Sequence, residues 1–228
     1  MACGLESWAT AASGDKVCFI FQSFTTAELS TNPATAARVC KAMGMDVIAY
    51  TASPRPTPES KKDDGYIVPG TGDKDGTIPS AWYSGTDTAS LHNFLSQDID
   101  VLLVSVPLTK STTHFLGAPE FAILGSKRNA FILNISRGSI LKQDDLATYL
   151  RKSPADGGLR GAALDVTEPE PLPKDSELWD LENCTITPHI SGLSDAYQDR
   201  AMQILEINLA NLEAGKPLIN VVDKRKGY

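Results

Sequence analysis

Short apolar runs recur along this chain with helical patterns between them, at 46–50, 101–106, 130–135, 160–166 and 185–187. They are rich in Val, Ile and Leu and show little polar alternation, as strands covered on both faces must. Helix candidates lie at 33–43, 88–97, 119–124 and 143–152. Regular alternation of this kind predicts an α/β fold built on a doubly wound parallel sheet. A further strand is expected at 17–21. Asn32 can cap the first helix, Pro33 suits its first position and Gly44 can end it. The stretch 51–85, full of Pro, Gly, Asp and Lys, reads as a structureless insertion or mobile cover. A last helix is expected over 194–214, with Ala201, Ile204, Leu205, Leu209 and Leu212 as an apolar stripe, stopped by Gly215 and Pro217.

Bulk properties narrow the function. Hydrophobic residues make up 42% of 228, enough for a sizeable core. A net charge of −7 argues against nucleic acid and anionic membranes as partners. The basic cluster Lys224-Arg225-Lys226 reads as a solvated tail. Cys3, Cys18, Cys40 and Cys184 form no C-x-x-C pair, so no metal is expected and the thiols are read as reduced. No apolar run approaches the ~20 residues of a membrane helix, and no signal peptide opens the chain. A cytoplasmic location is the expectation.

Three segments place reactive side chains at strand ends, the edge where open α/β sheets bind ligands. They are Asn134-Ile135-Ser136-Arg137-Gly138, Ala163-Leu164-Asp165-Val166-Thr167-Glu168-Pro169-Glu170-Pro171 and Thr187-Pro188-His189-Ile190-Ser191-Gly192. A histidine donates protons near neutral pH, and a carboxylate held against it favours the charged ring. Glu170 can be that carboxylate, and Glu168 competes locally. The Arg137 fork can hold a carboxylate bidentately, and Gly138 would let a ligand approach the backbone. Asp165 could accept from a ligand amide. A lone histidine is more often a hydrogen-bonded structural residue, and His92 and His114 are read that way.

In this order the segments resemble the D-isomer-specific 2-hydroxyacid dehydrogenase family, with its N-x-x-R-G, A-x-D-V followed by E-P, and P-H-I patterns. Val104-Ser105-Val106-Pro107-Leu108-Thr109 with Thr112 is similar to the family's P-L-T-x-x-T turn, and Leu178-Trp179 fits the same template. The resemblance covers roughly residues 34–222. It implies a Rossmann-like fold and hydride transfer from NAD(P)H to a small 2-oxo acid of the glyoxylate or hydroxypyruvate class. Arg137 would hold the substrate, His189 would be the acid/base and Glu170 its partner. Asp165 would meet the nicotinamide carboxamide. Pro107, Thr109, Thr112, Ile135, Ser136, Ile190, Ser191 and Gly192 would touch the dinucleotide. After strand 46–50, Thr51, Ser53 and Arg55 stand where NAD enzymes place an acid, which favours NADP over NAD.

The front departs from this pattern. Counting back from Ala37-Arg38-Val39, Glu28, Ser30 and Pro33 occupy the family's three phosphate-loop glycine positions. The expected division is a divergent segment over 1–31, a dinucleotide-binding domain over 32–192, and a C-terminal helix and tail over 193–228 that would pack at a domain junction. A truncated or mis-spliced front, with the family's N-terminal substrate domain largely missing, is the expectation. The alternative is a non-catalytic dinucleotide-binding fragment, pseudoenzyme or interaction module. The helix stripe suggests a homodimer or other self-association.

Overall fold

The computed structural model describes residues 15–21 and 33–222. Among the described residues, seven strands form one all-parallel sheet: β1 (Lys16–Phe21), β2 (Asp46–Thr51), β3 (Ala81–Ser84), β4 (Val101–Ser105), β5 (Phe131–Asn134), β6 (Gly161–Leu164) and β7 (Cys184–Ile186). Their order is β3-β2-β1-β4-β5-β6-β7. The order reverses between β1 and β4, which opens a crevice at the C-terminal edge.

Helices cover both faces, as the unbroken apolar runs predict. Cys18, Ile48, Tyr50, Leu102 and Val104 face α3 (Thr88–Leu95), α4 (Ala118–Lys127) and α5 (Gln143–Arg151), in a core with Phe94, Phe121 and Leu146. Their neighbours Val17, Val47, Ala49 and Leu103 point the other way, onto Ala34 and Ala37 of α1 (Pro33–Ala42). This period-two division is the strand pleat. Gly44 ends α1 at φ +84°, a left-handed conformation that favours glycine. The expected cap Asn32, together with Glu28 and Ser30, lies outside the described residues.

The segment 51–85 corrects the sequence reading. It holds a short helix, α2 (Pro58–Lys61), and the edge strand β3. Its polar side chains fold it locally: Asp73 accepts from the Thr77 and Ile78 amides at 3.0 and 2.9 Å. Gly72 anchors it on α1, accepting from Arg38 Nε at 2.9 Å.

The last helix, α6 (Tyr197–Glu213), has no buried residue. Met202, Leu205, Leu209 and Leu212 are exposed. Tyr66 touches this region through Asn220 and Gln203. Among the described residues no helix is long and apolar enough to cross a membrane.

Candidate active site

Because β4, β5, β6 and β7 are adjacent and parallel, the segments that follow them emerge side by side. The Pro107 turn, the Arg137 turn, the Asp165–Glu170 stretch and the His189 loop therefore share one edge. Thr51, Ser53 and Arg55 lie on the same edge, beyond β1.

The His189 loop is built on Asp165. The His189 amide donates to the Asp165 carbonyl at 2.9 Å. The Asp165 carboxylate accepts from the Ile190 and Ser191 amides at 2.9 and 2.8 Å and from Thr187 Oγ1 at 2.5 Å. Burial opposes its ionisation, but the donors of Ser191, Thr187 and Ile190 outweigh this and hold the carboxyl below its usual range. Three donors of the loop thus engage the two oxygens, which leaves acceptor capacity for the ligand amide expected of Asp165. A carboxyl with a depressed folded pKa stabilises the fold above its ordinary value, near pH 4, and loses that contribution as pH falls through the depressed one. The stability gap between the wild type and Asp165→Asn will therefore be full at about pH 6 and shrink on acidification towards about pH 2. Urea unfolding across this range checks it.

His189 adopts φ +54°, uncommon for a residue with a side chain. Its Nδ1 lies 2.6 Å from Glu170 Oε1, and both side chains remain roughly half exposed, at 46% and 41%. Glu168 points elsewhere, to Ser139 and His114. His92 pairs with the buried Glu120 at 2.6 Å, a structural tie between α3 and α4.

Arg137 is exposed, and its Nη1 donates to the Ser136 carbonyl at 2.6 Å. The turn beneath it is pinned by Asn134, which is fully buried. Asn134 Nδ2 donates to the Arg137 carbonyl at 2.9 Å, and its Oδ1 accepts from the Ser136 amide and hydroxyl at 3.1 and 2.8 Å. The sequence reading assigned no role to Asn134; its place at the head of the N-x-x-R-G pattern was the available signal. Gly138 is also corrected. A Cβ there would lie 1.9 Å from the Thr167 carbonyl oxygen, so the missing side chain makes room for the chain leaving β6 rather than for a ligand.

In the Pro107 turn, Thr112 Oγ1 donates to the Pro107 carbonyl at 2.7 Å and accepts from the Thr109 amide at 2.8 Å. Ile135 continues the ladder onto Val104, and Ile190 is exposed beside His189. Thr51 is part of β2 rather than the residue after it, is almost fully buried, and gives its hydroxyl to the Ser53 carbonyl at 2.8 Å. Ser53 itself is exposed. Arg55 does not project into water. Its guanidinium lies 5.9 Å from the centre of the Trp82 ring and donates to the Ser60 carbonyl at 2.6 Å. Burial lowers its pKa, against the nearby Asp63 charge.

These residues fit the nicotinamide and ribose end of a dinucleotide: apolar Pro107 and Ile190 beside hydroxyls and the Arg137 fork.

Comparison with known proteins agrees with this arrangement. The family model described as D-isomer specific 2-hydroxyacid dehydrogenase, NAD binding domain, matches residues 75–191. Glyoxylate reductase of Korarchaeum cryptofilum is 33% identical over 130 residues, 57% of this chain and 37% of the relative. Glyoxylate/hydroxypyruvate reductase A of Salmonella newport is 33% identical over 138 residues, 60% of this chain and 41% of the relative. The structure of an NADPH-dependent glyoxylate/hydroxypyruvate reductase from Sinorhizobium meliloti, in complex with NADP and sulfate, superposes with a TM-score of 0.67 at 29% identity, covering 95% of this chain and 58% of that one. A probable 2-hydroxyacid dehydrogenase from Rhizobium etli, in complex with NADP, also gives 0.67, at 28% identity, with 95% and 58% covered. This chain therefore spans about two fifths of the curated relatives it matches. With half its length matched by the family model, over the strands that carry the Arg137, Asp165 and His189 segments, the chain belongs to the D-isomer specific 2-hydroxyacid dehydrogenase family through its NAD-binding domain.

Proposed function

We propose that this chain carries the reducing half-site of an NAD(P)H-dependent 2-oxo acid reductase of the glyoxylate/hydroxypyruvate class. The observation that carries the reading is the His189–Glu170 pair at 2.6 Å, one strand away from the Arg137 turn. Glu170 engages Nδ1, which leaves Nε2 as the nitrogen that faces a reacting oxygen. His189 gives a proton to the oxygen of the substrate carbonyl. Arg137 binds the substrate carboxylate through its fork and stabilises the charge that develops beside it. The dinucleotide, when bound, supplies the hydride. Pro107, Thr109, Thr112, Ile135, Ser136, Ile190, Ser191 and Gly192 are its proposed contacts. The test follows NADPH absorbance with glyoxylate or hydroxypyruvate. Turnover supports the reading, and dinucleotide binding with no turnover of either acid overturns it.

NADP is the proposed preference. Supporting it are the non-acidic Thr51 at the end of β2, Arg55 beyond it, and the NADP complexes of the Sinorhizobium and Rhizobium proteins. To reach a 2′-phosphate, Arg55 exchanges its Ser60 hydrogen bond for a charge-assisted one. Arg55→Ala will weaken NADPH binding by about ten- to a hundredfold and leave NADH nearly unchanged, since a hydrogen bond to a charged group contributes about 1.5–3 kcal/mol. Fluorescence titration with each nucleotide checks this.

A second reading, a dinucleotide-binding module without catalysis, is favoured by the front of the chain. No glycine occurs between Gly14 and Gly44, and an acid, Glu28, stands at the first of the family's phosphate-loop glycine positions. Homodimerisation through the exposed face of α6 belongs to either reading, as does the division at residues 32–192 and 193–228. Sedimentation at rising concentration tests the association.

A further inference from the structure

Glu168 leaves β6 two residues before Glu170, yet its carboxylate reaches the segments that follow two other strands. Oε1 accepts from Ser139 Oγ at 2.6 Å, and Oε2 meets His114 Nε2 at 2.7 Å. Ser139 lies two residues after Arg137, and His114 lies two after Thr112. The backbone joins the same three segments. The His114 amide donates to the Ser139 carbonyl at 2.7 Å, and the Glu168 amide donates to Gln143 Oε1 at 3.0 Å. At Gly138 the Thr167 carbonyl occupies the space a side chain would fill. The Ser139 hydroxyl first, then His114, holds the Glu168 carboxyl below its usual range against partial burial.

Such a half-exposed pair contributes little to stability, about 0–1 kcal/mol. Its consequence is geometric. Between Glu168 and Glu170 stands Pro169, and Pro171 follows; each ring fixes its own φ and restricts the residue before it. Thr167 Oγ1 closes the turn on the Pro169 carbonyl at 3.0 Å. A displacement at Glu168 therefore passes along this stiff backbone to Glu170 instead of being absorbed between them.

We infer that Glu168, held by Ser139 and His114, is a positioning residue that sets where Glu170 meets His189 and couples that pair to the Arg137 and Thr112 segments. This rests on the reading of His189 and Glu170 as the reacting pair. Glu168 acts through Glu170 and touches no reacting atom.

Imidazole 15N shifts report which ring nitrogen carries the proton, a signature that a general loss of stability does not produce. The test records long-range 1H–15N spectra of the full chain at alkaline pH; its three histidines are assigned by single His→Gln variants. In the wild type His189 is expected in the Nδ1–H form, and Glu170→Ala is expected to shift it towards Nε2–H. Glu168→Ala will remove about half or more of the Nδ1–H population. Glu168→Gln will retain it, because the amide can accept from Ser139 and donate to His114. If Glu170→Ala moves the His189 signal and Glu168→Ala does not, the positioning role is wrong and the pair stands. If Glu168→Ala and Glu168→Gln act equally, the lost charge is the cause and the role is again wrong. If Glu170→Ala leaves His189 unmoved, the pair itself fails and the inference falls with it. Should Glu168→Ala not fold, Ser139→Ala with His114→Ala removes both side-chain donors and takes its place, with the same outcomes.

Discussion

On the proposed mechanism, replacing His189 with alanine will slow 2-oxo acid reduction by about 10²–10⁴-fold, the contribution of a positioned general acid. NADPH affinity will change little, because the loop that carries His189 is held by Asp165 through the Ile190 and Ser191 amides, not by the imidazole. On the proposed mechanism Glu170 has no catalytic path except through His189. The double variant His189→Ala/Glu170→Ala will therefore be no slower than His189→Ala alone, a non-additivity diagnostic of residues that act as a unit. Rates at saturating NADPH, with a separate binding titration for each variant, decide it. Additive losses would mean that Glu170 meets the substrate directly.

Replacing Phe94 with alanine will destabilise the fold by about 3–5 kcal/mol, the usual loss for a fully buried aromatic side chain. Phe94 has no exposed surface and lies between Tyr50 of β2 and Tyr83 of β3, with ring centres 5.0 and 5.5 Å away. The ring joins α3 to the strand that the sequence reading missed. Tyr50 cannot fill the void readily, since it is tied through its hydroxyl to the Gly85 carbonyl at 2.9 Å. A loss of this size is a large fraction of the ~5–15 kcal/mol that holds a domain together. Urea unfolding followed by circular dichroism measures it. Leu193→Ala, at a position 76% exposed, serves as the control and will change stability by no more than about 0.5 kcal/mol.

The legible and the hidden parts of this fold differ in burial. Strands β2, β4, β5 and β6 were readable because burial on both faces demands unbroken apolar runs. β3 was not. It is four residues long, half-buried throughout, pairs only with β2 among the described residues, and sits between Pro79 and Gly85 in a polar stretch. Pairing and periodicity signals both fade at an edge strand of that length. The compactness of 51–80 was hidden for another reason. Asp, Thr and Ser look like solvated loop residues, and only their hydrogen bonds to particular amides make the segment ordered.

From the residues alone came the order of strands and helices apart from α2 and β3, the parallel sheet, and the delivery of Arg137, Asp165, Glu170 and His189 to its C-terminal edge. Local patterns suffice there, because apolar periodicity and turn chemistry act over a few neighbouring residues. Tertiary structure decided the partnerships. It placed Glu170 on His189 and sent Glu168 to Ser139 and His114. It committed the Asp165 carboxylate to the His189 loop, laid Arg55 over Trp82, and gave the space beside Gly138 to the Thr167 carbonyl. Those contacts join residues 19 to 54 positions apart, most of them in the segments that follow β4, β5, β6 and β7. Hydrogen bonds form only within about 3 Å, and the pairing of β4 through β7, not the chain's local pattern, sets distances that fine.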